Sequence, residues 1–222
     1  MSQPTAQNDT IQVDIVSDVM CPWCIVGFRQ LENALAAMEQ TARVRWYPFE
    51  LNPDMPAEGQ KLSDHMAEKY GATPQQSLEN RNRLKDLGAE LGIQFNFTDE
   101  SRILNTFLAH QLLDWAETHG MQHPLKMALF YAYFTDGRDV SNLDTLAQIA
   151  HSTGLDAEAA KAVLQSGENA EAVRTKQHFW TSRGISGVPS MIFGGKYLLT
   201  GAQGENAYKE ILRNMLKDAK AA

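Results

Sequence analysis

Only two cysteines occur in this 222-residue chain, and they stand together as Cys21-Pro22-Trp23-Cys24. The sequence on either side limits what such a pair can belong to. Upstream, Ile11, Val13, Ile15 and Val16 form a β-branched run suited to a strand. Downstream, Ile25, Phe28, Leu31, Leu35 and Met38 recur at the spacing of one helix face. The cysteines therefore mark a strand-to-helix junction. Pro22 suits the first helical position, because its missing N–H would have no intrahelical partner and its fixed φ already matches a helix. This puts Cys21 at the helix N-terminus, where unpaired N–H groups and the positive end of the helix dipole favour a thiolate, so its pKa is expected to be depressed. Cys24 follows nearly one turn later, within disulfide reach. The pattern predicts an exposed Cys21 that attacks and a less exposed Cys24 that resolves.

Two other uses of a C-x-x-C pair weigh less. Tetrahedral zinc needs about two more ligands. These would have to come from carboxylates or from the six histidines, of which only His119 and His123 show a suitable spacing. A structural disulfide closing so short a loop would remove little unfolded-chain entropy. No metal is expected, and no cofactor beyond the redox-active Cys21–Cys24 pair. The net charge of −7 is dispersed, with no basic block or basic-aromatic stripe, so nucleic acid is not an expected partner. No apolar run approaches a membrane span, and residues 1–10 lack the charged start and hydrophobic segment of a signal peptide. A membrane partner is not expected, and the expected compartment is the cytoplasm, where a lone cysteine pair is more often catalytic or redox-sensing than structural.

Along the chain, residues 1–10 read as a disordered polar leader. Residues 44–51 suit a second strand constrained near its end by Pro48, which completes a βαβ unit with a parallel pair as its default geometry. From Lys61 to Gly167 the periods are helical, with Thr73-Pro74 and His123-Pro124 as start signals and glycines at the stops. Helices are expected at 61–70, 74–91, 103–119, 123–135, 142–153 and 156–166. The stripes Leu104, Phe107, Leu108, Leu112, Trp115 and Leu125, Leu129, Ala132, Tyr133 read as core. A helix over 169–183 then leads to a strand opened by Pro189, Gly194-Gly195 signals a hairpin, and a last helix covers 205–219.

The order β-α-β, helical block, α-β-β-α resembles a thioredoxin fold with a large α-helical insertion, an α/β architecture divided as 11–60, 61–167 and 168–222. Gly187-Val188-Pro189 ahead of a strand resembles the cis-proline loop of that superfamily. More closely, the chain is similar to the DsbA-like superfamily and its FrnE branch. The likeness lies in Ser17-Asp18 before Cys21-Pro22-Trp23-Cys24, and in Pro48-Phe49-Glu50-Leu51-Asn52-Pro53. It extends to Gly184-Ile185-Ser186-Gly187-Val188-Pro189 and Gly201-Ala202-Gln203. The resemblance implies a cytoplasmic thiol–disulfide oxidoreductase with Cys21 as nucleophile, Cys24 as resolving thiol and Pro189 beside them. Related kappa-class glutathione transferases and 2-hydroxychromene-2-carboxylate isomerases carry a serine at the place of Cys21, and usually an acidic residue where this chain has Ala202-Gln203. Both differences weigh against a glutathione-dependent isomerase or transferase.

Pro22 and Trp23 are candidates for tuning the pair, and Trp23 offers an apolar face to the sulfurs, to a substrate or to simple packing. Val188 and Pro189 would leave backbone free to pair with an extended peptide. The expected partners are protein or peptide thiols and disulfides, with glutathione as an optional co-substrate. A third reading, a binding protein whose cysteines only sense redox state, predicts oxidation without turnover.

Overall fold

A computed structural model describes residues 10–221, so the expected leader falls outside the described residues apart from Thr10. Four strands form the main sheet in the order β2-β1-β5-β6: β1 (Ile11–Ser17), β2 (Ala42–Pro48), β5 (Ser190–Phe193) and β6 (Tyr197–Thr200). β1 runs parallel to β2, from Ile11 opposite Ala42 to Ser17 opposite Pro48, and antiparallel to β5 from Val13 opposite Phe193 to Val16 opposite Ser190. Pro48, which cannot donate to a ladder, thus closes an edge strand. Gly194 and Gly195, with φ of +56° and +68°, are the central residues of the turn in the three-residue loop from β5 to β6, which the Lys196 N–H closes onto the Phe193 carbonyl at 3.0 Å.

Between Ser17 and Ala42 runs α1 (Pro22–Ala37), and α9 (Glu205–Ala221) lies beside it. The alternation of β1 turns Ile11, Val13 and Ile15 toward these helices, where Phe28, Leu31, Tyr208 and Leu212 complete a core. Val16 faces the other way, onto Ile185, Ile192 and Trp180 of α8 (Ala170–Thr181).

The chain from residue 60 to 166 contributes β3 (Gln60–Lys61), α2 (Leu62–Tyr70), α3 (Pro74–Glu90), β4 (Arg102–Ile103), α4 (Phe107–Thr118), α5 (Gln122–Phe134), α6 (Leu143–Ser152) and α7 (Ala157–Ser166). Thr73 begins α3 with a capping box: its hydroxyl accepts from the Gln76 N–H, and the Gln76 side chain accepts from the Thr73 N–H. Leu112, Leu125 and Leu129 are wholly buried in a second core. The sequence suggested no strand here, yet β3 and β4 pair antiparallel. Two-residue strands carry no period to detect. The helices are not a satellite of the sheet, because α5 belongs to both cores: Leu125 and Leu129 face the helical one, Phe130 and Phe134 the sheet one.

Candidate active site

Cys21 caps α1 and Pro22 takes its first helical position, as the local sequence requires. No side chain caps this end; the Cys24 N–H instead bonds the Cys21 carbonyl at 3.0 Å, and the Cys21 N–H bonds the Asp18 carbonyl at 3.3 Å. Both sulfurs are free thiols. Across the sheet, the Val188–Pro189 peptide bond is cis. The Val188 carbonyl oxygen lies 3.6 Å from Cys21 Sγ. Pro189 is buried against α1 at Gly27, where an added Cβ would come within 3.2 Å of the Pro189 ring. The fold thus brings Cys21, Cys24, Val188 and Pro189 to one place. Trp23 does not pack away, being 37% exposed beside a cleft that opens on Cys21.

Two expectations need correction. Cys21 is not an exposed thiol: it is 3% accessible, at the base of that cleft, and Cys24 behind it is wholly buried. Nor is the Cys21 pKa depressed. It is pushed well above its ordinary value, first by the hydrogen bond between the two sulfurs, then by burial and by the nearby negative charges of Cys24 and Asp18. Burial also opposes ionisation of Cys24, but hydrogen bonds from Cys21 and Ser17 and the charge of Lys126 outweigh it and leave the Cys24 pKa lowered. The two sulfurs share a hydrogen bond and titrate as one unit, and a protonated Cys21 has its S–H within reach of the Val188 carbonyl. The helix N-terminus favours an anion, but a buried sulfur facing a carbonyl oxygen and a carboxylate favours the thiol.

The groups beneath the sulfurs form a buried charged cluster that the motif does not reveal. Asp18 is 2% exposed, and its carboxylate accepts from the Leu51 N–H at 2.8 Å and the Met20 N–H at 3.4 Å. His110 on α4 donates from Nε2 to the Phe49 carbonyl at 3.0 Å and lies 3.5 Å from the Asp18 carboxylate. Burial works against the Asp18 anion, but the imidazole of His110 and the Leu51 N–H hold its pKa below the ordinary value. Lys126 on α5 is 1% exposed, with its ammonium 4.8 Å from the Phe130 ring centroid and 5.3 Å from that of Trp46. Burial lowers its pKa to about 8, against the pull of Cys24, Asp18 and Cys21.

This cluster also explains why β2 stops at Pro48 and does not run on to Leu51. Residues 49–51 leave the sheet because their polar groups are claimed elsewhere: the Phe49 carbonyl by His110, the Leu51 N–H by Asp18, and the Glu50 carboxylate by Gln177 at 2.9 Å and by Arg174. The Met20 sulfur accepts from the Leu104 N–H at 3.2 Å, tying the cysteine turn to the segment between β4 and α4. Asp18 was legible as part of Ser17-Asp18 but without a role. Lys126 leaves one signal in the sequence, a single charge inside the apolar stretch Leu125 to Phe134.

The family model of the DSBA-like thioredoxin domain matches residues 12–213, and the chain belongs to that family. Its likeness to a probable DsbA oxidoreductase of Streptomyces coelicolor is 31% identity with a TM-score of 0.87, over 92% of this chain and 89% of that one. The uncharacterized protein YwbO of Bacillus subtilis is 24% identical over 94% of this chain and 98% of its own length. The cytosolic disulfide reductase DsbM of Pseudomonas aeruginosa, in a structure with GSH, shares the fold at 15% identity with a TM-score of 0.62, over 93% and 99% of the two chains. The chain is accordingly of the oxidoreductase type found in this family. Among the described residues no helix is long and apolar enough to cross a membrane.

Proposed function

We propose that this protein is a cytoplasmic thiol–disulfide oxidoreductase of the FrnE type, in which Cys21 attacks and Cys24 resolves. The observation that carries the reading is the contrast between the two sulfurs: Cys21 meets the cleft, whereas Cys24 is wholly buried beside Lys126. With one proton shared between the hydrogen-bonded sulfurs, Cys24 holds it while Cys21 attacks one sulfur of a substrate disulfide as the thiolate. A mixed disulfide forms and the first substrate thiolate leaves. Cys24 next gives the pair's one proton to the first leaving thiolate, attacks the Cys21 sulfur and expels the second substrate thiolate, which takes its proton from solvent. The substrate gains two electrons and the protein ends as the Cys21–Cys24 disulfide. Run backwards, the same steps oxidise a dithiol.

Glutathione enters as a thiol or disulfide reagent to test, supported by its presence in the DsbM structure. No cofactor other than the dithiol is required by these steps. The decisive experiment mixes the reduced protein with the neutral reagent 4,4′-dithiodipyridine. Wild type should consume one disulfide per chain and form the Cys21–Cys24 bond, detectable by mass spectrometry after trapping. Cys21→Ser should lose the reaction at the cleft, and Cys24→Ser should stop at the mixed disulfide. A Cys21→Ser protein that reacts as fast as wild type would refute the assignment.

A further inference from the structure

Cys21 is reached through a cleft of about 380 Å3, which falls in the range of small-molecule sites. One wall is the cysteine turn with Trp23. The other is built by α2, through Met66 and Tyr70, and by α3, whose residues 77, 80, 81 and 84 recur on one helix face. A sulfur 3% exposed at the base of such a cleft is poorly placed to meet a disulfide held on a folded protein surface.

The lining is mainly apolar, and it contains no carboxylate. Against this background stands Arg81. Its side chain is 22% exposed, its buried Nε has no hydrogen-bond partner, and its Nη1 reaches only the Thr98 carbonyl at 3.5 Å and the Asp99 carboxylate at 3.6 Å. Contacts of that length are weak, and Asp99 is 96% exposed, so the pair is worth little. Arg83 adds a second positive charge to the lining. In a chain of net charge −7, one wall of the cleft that reaches Cys21 thus carries two cations. A guanidinium fork with unused donors matches a carboxylate in both charge and shape.

We propose that the cleft selects low-molecular-weight disulfides that join an apolar body to a carboxylate or similar anion, with Arg81 holding the anion. The inference rests on the dithiol reading above and names its substrate class. The Cys21 thiolate bonds to one substrate sulfur and releases an anionic thiolate. Cys24 then closes the Cys21–Cys24 bond and releases the second, the first leaving thiolate taking the pair's one proton and the second a proton from solvent.

Stopped-flow oxidation of the reduced protein by two aromatic disulfides tests this: 5,5′-dithiobis(2-nitrobenzoate), which carries two carboxylates, and neutral 4,4′-dithiodipyridine. Arg81→Met should slow the anionic reagent by at least about tenfold, the scale of one charge-assisted contact, and the neutral one by less than about twofold on the same scale. Arg81→Lys should keep most of the preference, and added salt should narrow the gap. A folded protein bearing the nitrobenzoate mixed disulfide on a surface cysteine presents the same leaving group on a large body and should react more slowly than the free reagent. Equal loss on both reagents or no loss on either in Arg81→Met, or equal rates for the free and protein-borne reagents, would overturn the proposal. Should Arg81→Met fail to fold, Arg81→Gln, which also removes the charge, decides on the same two rates. If neither reagent oxidises the wild-type pair, the dithiol reading itself falls, an outcome distinct from a loss of charge preference.

Discussion

Cys21 Sγ and the Val188 carbonyl oxygen stand 3.6 Å apart although 167 positions separate the two residues. The contact ties the only cysteine that meets the cleft to a backbone oxygen that can accept from its S–H but offers nothing to its thiolate. Chemistry at this site therefore needs a base for that proton, and the sulfur of Cys24 is the group in hydrogen-bond contact with it.

Replacing Cys24 by serine removes both that base and the resolving sulfur. Turnover should fall by at least ~10²-fold, the lower range for loss of an acid–base group, and a mixed disulfide on Cys21 should accumulate on nonreducing gels. In the wild-type reduced protein, iodoacetamide should label Cys21 and spare Cys24, since Cys24 has no accessible surface. Peptide mapping that finds the label mainly on Cys24 would contradict this order of access.

Gly88, near the end of α3, supports the helix that carries Arg81. A Cβ there would lie 2.5 Å from the Phe95 ring and 2.7 Å from the Ile93 carbonyl oxygen, distances that neither a ring in the core nor a backbone can readily yield. Alanine would otherwise favour a helix by about 1 kcal/mol over glycine. Overpacking should outweigh that gain, leaving Gly88→Ala less stable by roughly 1–2 kcal/mol. Urea unfolding measures the difference, and an alanine variant as stable as wild type would mean the helix end shifts freely.

Much of this architecture was legible because its signals are local. The cysteine helix, the Thr73-Pro74 start and the Gly194-Gly195 hairpin each depend on backbone rules acting over a few residues. The cluster under the sulfurs was not, because Asp18, His110 and Lys126 meet only after α4 and α5 dock on the sheet. The same holds for the cleft over Cys21, whose far wall is built by α2 and α3. A helix N-terminus can be read from sequence, but the carbonyl and carboxylate that face it cannot. The expected lowering of the Cys21 pKa failed because the hydrogen bond with Cys24 and the burial of the sulfur, followed by the charges of Cys24 and Asp18, outweigh the helix end.

His123 gives the fold an acid-sensitive contact. The Trp46 indole N–H donates to His123 Nδ1 at 3.0 Å, which requires that nitrogen to be unprotonated. Burial lowers the His123 pKa, and Arg29 adds to the effect against the opposing pull of Glu32. Because the folded pKa lies below the unfolded value of about 6.5, the unfolded chain binds the proton more readily. The contribution is thus fully present above about pH 6.5 and is lost as pH falls through the lower folded pKa. His65, lowered by burial and Lys69, adds a loss in the same window. Thermal melts from pH 7.5 to 5 should show wild type losing more stability than His123→Gln, and parallel curves would exclude the contact as a source.

Lys126 sets stability against reactivity. Its ammonium is buried, with aromatic rings at 4.8 and 5.3 Å, and its pKa falls from 10.5 to about 8. The unfolded chain therefore holds the proton more tightly. The resulting penalty is full below about pH 8, disappears as pH rises toward 10.5, and is on the order of 3 kcal/mol at neutral pH. Methionine, of similar length and without the charge, should raise the melting temperature at pH 7, as replacing buried charges by apolar groups often does. The same change removes the cation that favours the Cys24 thiolate, so the pair should ionise at higher pH and the initial rate of disulfide reduction at pH 7 should drop by about tenfold, the equivalent of ~1.4 kcal/mol of electrostatic support. The two effects have opposite signs, which separates them from a simple packing defect. A Lys126→Met protein that is both less stable and unchanged in the pH profile of its thiols would show that the lysine is held for packing and not for the charge it places under the dithiol.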